Sequence, residues 1–486
     1  MRVLVSGATG YIGGRLVPQL IEAGHQVRAM THTKGRLDGL PWADEVEIVT
    51  ADAAEPEDLA NAMHEVEVAY FLIHSIGTGS KFAEQDRVVA ENFAASAERA
   101  GVGRIVYLGG LADENAAEVS EHLASRAEVG TIFLNSSVPA VVLRAAVIIG
   151  SGSASFEMLR YLTERLPAMI TPKWLSTRIQ PIAVRDVLRY LVAAAEFPAG
   201  INRTFDIGGP DVLTYREMMQ RYAAVAGLHK RIIVGSPLLT PRLSSHWVGL
   251  ITPVPAALAR PLVQSLRTEV ICREDDIADY VPDPPGGLLG FEDAVALALQ
   301  RVREAKVTTR WTESGAVRAP SEPFPSDPDW AGGTLYTDER RRTVNGTPEQ
   351  VWTGIERMGG EQDFYGLRSL WRVRGLADRV AGGPGLRPGR RDPNSLRVGD
   401  ALDFWRVEEV AAPELLRLRA EMKLPGVAWL EFHVTPDGAQ RSEITQRLTF
   451  YPRGIAGHLY WRAVAPSHPL IFSAMLRAVA RRAESH

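Results

Sequence analysis

Three glycines near the beginning of the chain have a spacing that suits the binding of a phosphate group. Gly7, Gly10 and Gly13 follow the apolar run 3–5 and precede a periodic apolar segment that ends at Gly24. In a strand–turn–helix unit, such glycines permit a tight turn, a close approach of backbone to a pyrophosphate and close packing of the helix on the strand, while the helix N-terminus attracts the anion. We therefore predict a dinucleotide-binding turn, with an ordinary tight turn as the alternative. Its residues are Gly7, Ala8, Thr9, Gly10, Tyr11, Ile12 and Gly13.

The elements that must position this turn alternate between strand and helix patterns. Apolar runs that predict strands are at 3–5, 26–30, 46–50, 68–73, 104–108 and 140–144, and helical patterns are at 86–100 and 121–131. This alternation predicts an α/β fold with a doubly wound parallel sheet that is covered by helices on both faces. Ligands of such sheets bind beyond the carboxyl ends of the strands.

The residues that directly follow these strands are therefore candidates for cofactor contacts. We expect Asp52 and Ala53, after the third strand, to meet an adenine ring. On the nicotinamide side, we expect the residues that end the fourth strand or follow the fifth, namely Leu72, Ile73, His74, Ser75 and Gly109.

The end of the second strand predicts which nicotinamide cofactor is bound. A carboxylate there would bind the ribose 2′-hydroxyl and repel a phosphate, but the chain has Thr31 and His32 at this point, with Arg28 and Arg36 nearby. A 2′-phosphate would meet hydrogen-bond donors and positive charge. We predict NADP as the cofactor, with NAD as the alternative.

The opening turn 6–13, Asp52 and the order of the strands resemble the short-chain dehydrogenase/reductase superfamily, and more narrowly its atypical and extended members, the NmrA-like and epimerase-like proteins. The segments 180–187 and 205–210 resemble the same group, so that the resemblance covers about residues 1–300. It implies a Rossmann fold that binds NAD(P), followed by a substrate-side part.

The superfamily uses a tyrosine and a lysine four residues later on one helix. At this point the chain departs from the family pattern. The corresponding positions hold His122 and Arg126, while Gly109 and Gly110 replace the usual serine after the fifth strand. The spacing places both side chains on one helix face. We expect His122 to transfer a proton near neutral pH, and Arg126 to hold ribose hydroxyls and keep His122 neutral by repulsion. The alternative is that both are surface residues without a catalytic role.

Composition limits the function classes. The 486 residues suffice for two or three domains, and an apolar fraction of 45% is ordinary for a globular protein. The single cysteine, Cys272, excludes an internal disulfide and a cysteine-based metal site, and it fits a reducing compartment. We predict a cytoplasmic protein without a metal. No run of about eighteen apolar residues predicts a membrane span, and the dispersed basic residues give no support to nucleic-acid binding.

The second half of the chain has a different character. Residues 331–486 carry 23 Lys and Arg against 18 Asp and Glu, whereas the whole chain carries 54 against 58. Such asymmetry favours separate domains. Prolines are frequent in residues 307–333, which predicts a linker between a first domain, 1–306, and a last domain, 334–486.

The last domain has predicted strands at 335–344, 403–410, 415–422, 428–435 and 442–451, a helix that begins at Pro348 and a long terminal helix from Pro469. This order resembles the START-like, helix-grip (SRPBCC) fold. The resemblance implies a smaller α+β domain with an apolar cavity.

Together, these features favour an NAD(P)-dependent oxidoreductase that lacks the usual Tyr–Lys pair. Its substrate would be an apolar carbonyl, enone or quinone-like compound that the last domain binds or caps. Two other hypotheses stay open, namely a non-catalytic NADP-binding redox sensor and a lipid- or polyketide-binding protein with a structural Rossmann domain. The predicted partner is a small apolar ligand, and the oligomeric state is left open.

Overall fold

The structure, a computed structural model, describes residues 1–33, 35–37, 40–74, 82–111, 120–236, 251–303, 331–356, 358, 396–402, 404–438 and 440–484. The chain divides into two compact units, Met1–Gly333 and Thr334–His486. Most of the predicted linker, residues 307–330, lies outside the described residues.

The first unit is built from strands that alternate with helices. Its strands are β1 (Arg2–Ser6), β2 (Gln26–Thr31), β3 (Glu47–Thr50), β4 (Val68–Phe71), β5 (Arg104–Gly110), β6 (Ala140–Ala145), β7 (Ile148–Ile149), β8 (Ala168–Pro172), β9 (Arg178–Ile179), β10 (Ile182–Ala183), β11 (Arg203–Ile207), β12 (Leu213–Thr214) and β13 (Ile232–Ser236). Its helices are α1 (Tyr11–Glu22), α2 (Pro56–Ala62), α3 (Phe82–Ala100), α4 (Glu121–Leu134), α5 (Ala154–Arg165), α6 (Val184–Ala194), α7 (Tyr215–Val225), α8 (Ala256–Ser265) and α9 (Phe291–Arg303).

Seven of these strands form one parallel sheet in the order β11-β6-β5-β4-β1-β2-β3. Leu16 of α1 and Val187 of α6 join an apolar cluster with Val3, while Phe93 of α3 and Phe133 of α4 join another with Leu4. Because successive side chains of a strand point to opposite faces, helices cover both sides of the sheet. The predicted doubly wound α/β fold is confirmed. The strand order reverses between β1 and β4, the point at which such sheets bind ligands.

The small strands of the first unit lie outside this sheet. They pair as β7 with β10, β8 with β13 and β9 with β12. Phe156 of α5, Met218 of α7, Val263 of α8 and Val295 of α9 contribute to a separate apolar cluster in this part of the chain. This cluster forms the part of the unit that the resemblance assigns to the substrate side.

The second unit consists of an antiparallel sheet and helices. Its strands are β14 (Tyr336–Asn345), β15 (Ala401–Leu402), β16 (Trp405–Ala411), β17 (Leu415–Ala420), β18 (Gly426–Pro436) and β19 (Arg441–Pro452), and its helices are α10 (Pro348–Glu356), α11 (Gly454–Val464) and α12 (His468–Ala483). The strand order is β14-β19-β18-β17-β16-β15. Phe472 and Met475 of α12 belong to the same apolar cluster as Leu430 and Phe432 of the sheet. The predicted smaller α+β unit with a terminal helix is confirmed.

Candidate functional site

The glycine turn joins β1 to α1 in a space that no larger residue would fit. Gly7 has a φ of +73°, and a Cβ atom there would lie 2.6 Å from the carbonyl oxygen of Leu72, just after β4. A Cβ atom on Gly13 would lie 2.2 Å from the carbonyl oxygen of Gly7. Gly10, the exposed N-cap of α1, makes no side-chain capping bond. The N–H groups of the first helical turn are thus suited to an anion, and the turn fits a pyrophosphate.

The other predicted residues of the turn differ in exposure. Ala8 is fully buried, so that only its backbone can contact a cofactor, whereas Thr9, Tyr11 and Ile12 are half-buried. Sequence reasoning missed Arg15, whose guanidinium lies 4.2 Å from the centre of the Tyr11 ring and donates hydrogen bonds to the carbonyl oxygens of Tyr11 and Ser151. Arg15 therefore anchors the turn to the loop that follows β7.

The structure corrects the role predicted for Arg28, which lies in the middle of β2. Its side chain is buried, donates to the carbonyl oxygens of Ala62 and His64 at 2.8 Å, and forms an ion pair with Glu47 at 2.9 Å. Arg28 is therefore occupied in holding β2 to β3 and to the end of α2, and it does not face a cofactor phosphate.

Thr31 and His32 lie where the prediction placed them, directly at the end of β2. The buried Thr31 hydroxyl exchanges hydrogen bonds with the backbone of Thr33 at 3.2 and 3.3 Å, and His32 is exposed. Arg36 is exposed on the following turn, where its N–H donates to the carbonyl oxygen of Thr33. A cation and hydroxyl groups therefore follow β2, with no carboxylate at 31–33.

Asp52 and Ala53 follow β3, as predicted. The exposed Asp52 carboxylate accepts the N–H of Ala54 at 2.9 Å, and the Asp52 N–H donates to Asp58 at 2.9 Å. Ala53 is buried in the apolar cluster that contains Leu59. Asp52 thus stabilises its own loop, and Ala53 presents no side chain to a ligand.

A buried polar cluster lies at the carboxyl end of β4. His74 follows that strand, and its ring centre lies 5.0 Å from that of His122 on α4. His74 Nδ1 lies 3.5 Å from an Asp86 carboxylate oxygen, and the Ser125 hydroxyl donates to the same oxygen at 3.1 Å. The sheet thus brings together the predicted residues His74 and His122, whereas Ser75 lies outside the described residues.

Asp86 and Ser125 were missed by sequence reasoning. Asp86 lies on α3 with Ala90 and Phe93, and all three are buried. A carboxylate at an inward position of an apolar helix stripe was the available signal. Ser125 carried no such signal, because serine is common on exposed helix faces.

Burial determines the protonation of the two histidines. It lowers the pKa of His122 to about 2, with further lowering by the Arg126 guanidinium and by His74. Burial and Arg126 also lower the pKa of His74, against the opposing effect of Asp86. The predicted transfer of a proton by His122 near neutral pH is therefore wrong, since its imidazole stays neutral there. The neutral ring can still donate or accept a hydrogen bond.

Two nitrogens of this pair have unused hydrogen-bonding capacity. Within the described residues, His74 Nε2 and His122 Nδ1 are buried and have no hydrogen-bond partner. Buried polar atoms without a partner are rare and costly in native structures. His74 follows β4, as does Leu72 next to Gly7, and His122 faces it from α4. The two nitrogens fit a polar ligand group at the switch point of the sheet.

Arg126 points towards the sheet. Its guanidinium donates to the carbonyl oxygen of Leu108, and a Cβ atom on Gly110 would lie 3.3 Å from Arg126 Cδ and 2.9 Å from Leu123 Cδ2. The glycine at 110 thus lets α4 pack closely on β5. Gly109 lies beside the Tyr107 ring, whose hydroxyl donates to the carbonyl oxygen of Arg126.

A cavity of about 80 Å³ lies between α4 and the strands β5, β6 and β11. Arg126 and Gly109 contribute to its wall together with Arg144, whose charge is paired with the buried carboxylate of Asp206 at 2.7 Å. The candidate site therefore consists of the glycine turn, the residues after β4, and the inner face of α4. Among the described residues, no group of three His, Cys, Asp or Glu side chains is arranged to hold a metal ion.

Comparisons with known proteins agree with this geometry. A family described as NAD(P)H-binding matches residues 7–141, and a family described as a protein of unknown function (DUF2867) matches residues 330–475. The triphenylmethane reductase of Citrobacter sp. superposes on 62% of this chain and 100% of its own, with a TM-score of 0.50 and 22% identity, and so shares the fold.

Two curated relatives match the first unit. A ceramide reductase of Caulobacter vibrioides is 29% identical over 309 residues, which are 60% of this chain and 93% of the relative. A mitochondrial NADH dehydrogenase [ubiquinone] 1 alpha subcomplex subunit 9 of Arabidopsis thaliana is 26% identical over 224 residues, 44% of this chain and 56% of that subunit. The chain thus spans about half the length of the latter. The first unit thus has a Rossmann fold, and its residues 7–141 match an NAD(P)H-binding family, while the resemblances to the short-chain dehydrogenase/reductase superfamily and to the START-like fold stay predictions.

Proposed function

We propose that the chain is an NADPH-dependent reductase of an apolar carbonyl compound with a long hydrocarbon part. The observation that carries this proposal is the neutral imidazole pair of His74 and His122, two of whose nitrogens have no hydrogen-bond partner among the described residues. A carbonyl oxygen is the kind of group that such nitrogens would bind. The bound cofactor supplies a hydride to the carbonyl carbon, which places the growing negative charge on the oxygen.

The residues of the chain act on that oxygen. An N–H group of the neutral pair donates a hydrogen bond to it, and the positive charge of Arg126 on the same helix stabilises the developing alkoxide. Because His122 stays neutral, we assign it hydrogen bonding and take the proton of the product alcohol from water. Enone and quinone substrates present the same oxygen to the same donor.

Preference for NADPH is part of the proposal. It is supported by the absence of a carboxylate at residues 31–33 and by the exposed Arg36 on the turn that follows. A 2′-phosphate would gain a charge-assisted hydrogen bond from a guanidinium at this place. We expect Arg36→Gln to weaken NADPH binding and to leave NADH binding unchanged.

The hydrocarbon part of the substrate is inferred from two supports. The relative from Caulobacter vibrioides is named a ceramide reductase, and a lipid ketone is an apolar carbonyl compound. The part of the first unit that the resemblance assigns to the substrate side is built on an apolar cluster around α5, α7 and α8. We extend the proposal to the second unit, which would bind or cap the hydrocarbon chain.

The experiment is a calorimetric titration with NADPH and with NADH, followed by an assay of NADPH oxidation with long-chain ketones. Gly10→Glu should abolish nucleotide binding, because its carboxylate would occupy the pyrophosphate position. Gly200→Glu adds the same side chain at an exposed turn with open space around it, and it should bind NADPH normally. His122→Ala should retain NADPH binding and lower the turnover number at least about a hundredfold, the usual effect of losing one hydrogen bond to a developing oxyanion.

The non-catalytic redox sensor remains the second candidate, because no described residue replaces the proton-donating tyrosine. Tight NADPH binding without oxidation by any ketone, enone or quinone would favour the sensor and contradict the reductase. Failure of both nucleotides to bind would contradict both functions.

A further inference from the structure

Helix α11 presents most of its surface to solvent. Its buried residues are Gly454 and Gly457. Ile455 and Leu459 are 48% and 59% exposed, and Leu470 at the beginning of α12 is 63% exposed. Large aliphatic side chains with this exposure on neighbouring helices form an apolar surface, and such surfaces indicate an interaction site.

The contacts of α11 fix the direction in which this surface faces. A Cβ atom on Gly457 would lie 2.4 Å from the carbonyl oxygen of Pro425, which also accepts the N–H of Arg453 at 2.8 Å. Trp461 stacks on Tyr336 at 5.0 Å and on Phe450 at 5.6 Å, two residues that pair across β14 and β19. The side of the helix with Gly457 and Trp461 is therefore packed on the unit.

Helical periodicity places Ile455 and Leu459 on the other side. They are four residues apart and share one face, which lies opposite Gly457 and Trp461. The exposed apolar face therefore points away from the residues on which α11 packs.

The charged residues of α11, of α12 and of the end of β19 have a single sign along the sequence, whereas Asp338 of β14 lies 3.6 Å from His468 at the beginning of α12. Residues 444–483 contain six arginines and no aspartate or glutamate. Arg453 and Arg462, at the two ends of α11, are exposed and form no ion pair with any residue in the described part of the chain. An apolar face flanked by unpaired cations complements a surface that is apolar inside and anionic outside.

The same stretch does not have the structure of a membrane span. By length and composition, Gly454–Ala483 is apolar enough to cross a membrane. However, it is divided into α11 and α12 by a short turn at Ala465–Ser467 that contains Pro466, and α12 buries Phe472 and Met475 in the core of the unit. Only the exposed side of α11 and the beginning of α12 are available to a partner.

We infer that α11 docks the second unit on the surface of an anionic lipid bilayer. Ile455, Leu459 and Leu470 would enter the boundary between headgroups and acyl chains, as in helices that lie in the plane of a membrane. Arg453 and Arg462 would meet the anionic headgroups. This inference is independent of the proposed reaction, since it requires neither nucleotide nor turnover.

The test is sedimentation of the full chain with vesicles of phosphatidylcholine mixed with phosphatidylglycerol, without nucleotide, beside vesicles of phosphatidylcholine alone. We expect stronger binding to the anionic vesicles and a loss of that difference at high salt. The double variant I455S/L459S should bind at least about tenfold more weakly. R453Q/R462Q should lower binding to anionic vesicles by about fivefold per arginine.

Matched controls come from the first unit. I48S/V88S removes two exposed aliphatic side chains there, and R99Q/R260Q removes two exposed arginines. Both should bind vesicles as the unaltered chain does. Circular dichroism would show that all variants are folded, as expected for exposed positions.

Three outcomes would overturn the inference. One is equal sedimentation with anionic and zwitterionic vesicles, and another is unchanged binding by a folded I455S/L459S variant. The third is a dimer of the unaltered chain that I455S/L459S converts to a monomer while neither protein binds vesicles. That result would make a second copy of the chain the occupant of this face.

Discussion

His74 and His122 share a site in which the imidazole of His122 is buried and that of His74 is largely shielded from solvent. Their ring centres lie 5.0 Å apart, and burial disfavours the charged form of each ring. Asp86 offsets part of this effect at His74, whereas Arg126 adds repulsion at both rings. At this scale the chemistry available to the pair is hydrogen bonding by neutral nitrogens.

The neutral state of His122 makes the stability of the first unit sensitive to acid. Its pKa is about 2 in the folded chain, against about 6.5 in an unfolded chain. Below about pH 6.5 the unfolded chain therefore binds a proton that the folded chain does not. The free energy of unfolding should fall as the pH decreases, by up to about 1.4 kcal/mol per pH unit from this group. Denaturant titrations between about pH 7 and pH 5 would measure the slope.

The contribution of His122 is isolated by the slope of the free energy of unfolding against pH, and not by its value at one pH. His122→Leu cannot titrate and should show a shallower dependence on pH. The control variant His229→Leu, at an exposed position, should show the same slope as the unaltered chain. An identical slope in the His122→Leu variant would contradict the buried neutral imidazole.

The residue types of the site could be predicted from the sequence, but their surroundings could not. The four-residue spacing placed His122 and Arg126 on one helix, yet the burial of His122 depends on His74 and Asp86, which the sheet brings in from other elements. Arg28 shows the same limit, because it bonds carbonyl groups 34 and 36 residues away. No local pattern records such partners.

At the scale of elements, one arginine ties the beginning of β5 to the end of α6. The Arg104 side chain is buried, and its guanidinium donates to the carbonyl oxygens of Ala195, Phe197 and Pro198 at 2.6 to 2.8 Å. The last carbonyl groups of a helix have no partner within it. A cation at this end also complements the helix dipole.

Arg104→Leu should therefore destabilise the first unit. It would leave several buried carbonyl groups without a donor, at a cost of about 2–4 kcal/mol in the free energy of unfolding. Arg99→Leu is the control, because Arg99 is exposed and bonds only within its own helix α3. It should change stability by less than about 0.5 kcal/mol. Equal denaturation midpoints for the two variants would contradict a stabilising role of the Arg104 hydrogen bonds.

The strands of the first sheet could be predicted because strands buried on both faces are continuous apolar runs. The ends of β1 to β6 in the structure differ from the predicted ends by at most two residues. Helix α11 was not predicted, since its fully buried residues are glycines and its exposed side carries large aliphatic residues. That pattern inverts the usual amphipathic arrangement, which is also why the helix indicates a partner.

At the scale of the molecule, each unit has apolar clusters of its own. Those of the first unit extend from Val3 to Leu299, and that of the second extends from Val344 to Ala483. The pairing of β14 with β19 joins residues about a hundred positions apart. The order of elements predicted this sheet only through a resemblance, since no sequence pattern specifies so distant a pairing.

The two units make different contributions to the proposed reaction, and this can be tested by separating them. Every described residue assigned to the nucleotide lies between Gly7 and Arg126, and residues 1–333 contain the clusters that support them. Expressed alone, residues 1–333 should therefore fold and bind NADPH with the dissociation constant of the full chain. Calorimetry on both proteins would check this.

The chain length of the substrate can be used to test the role of the second unit. If that unit binds or caps the hydrocarbon chain, residues 1–333 should reduce a small water-soluble ketone as the full chain does and lose activity on a long-chain ketone, because the energy of burying the chain would be missing. Equal activity of the two proteins on both ketones would contradict a substrate role for the second unit. Loss of NADPH binding by folded residues 1–333 would instead show that the nucleotide site extends beyond the glycine turn and α4.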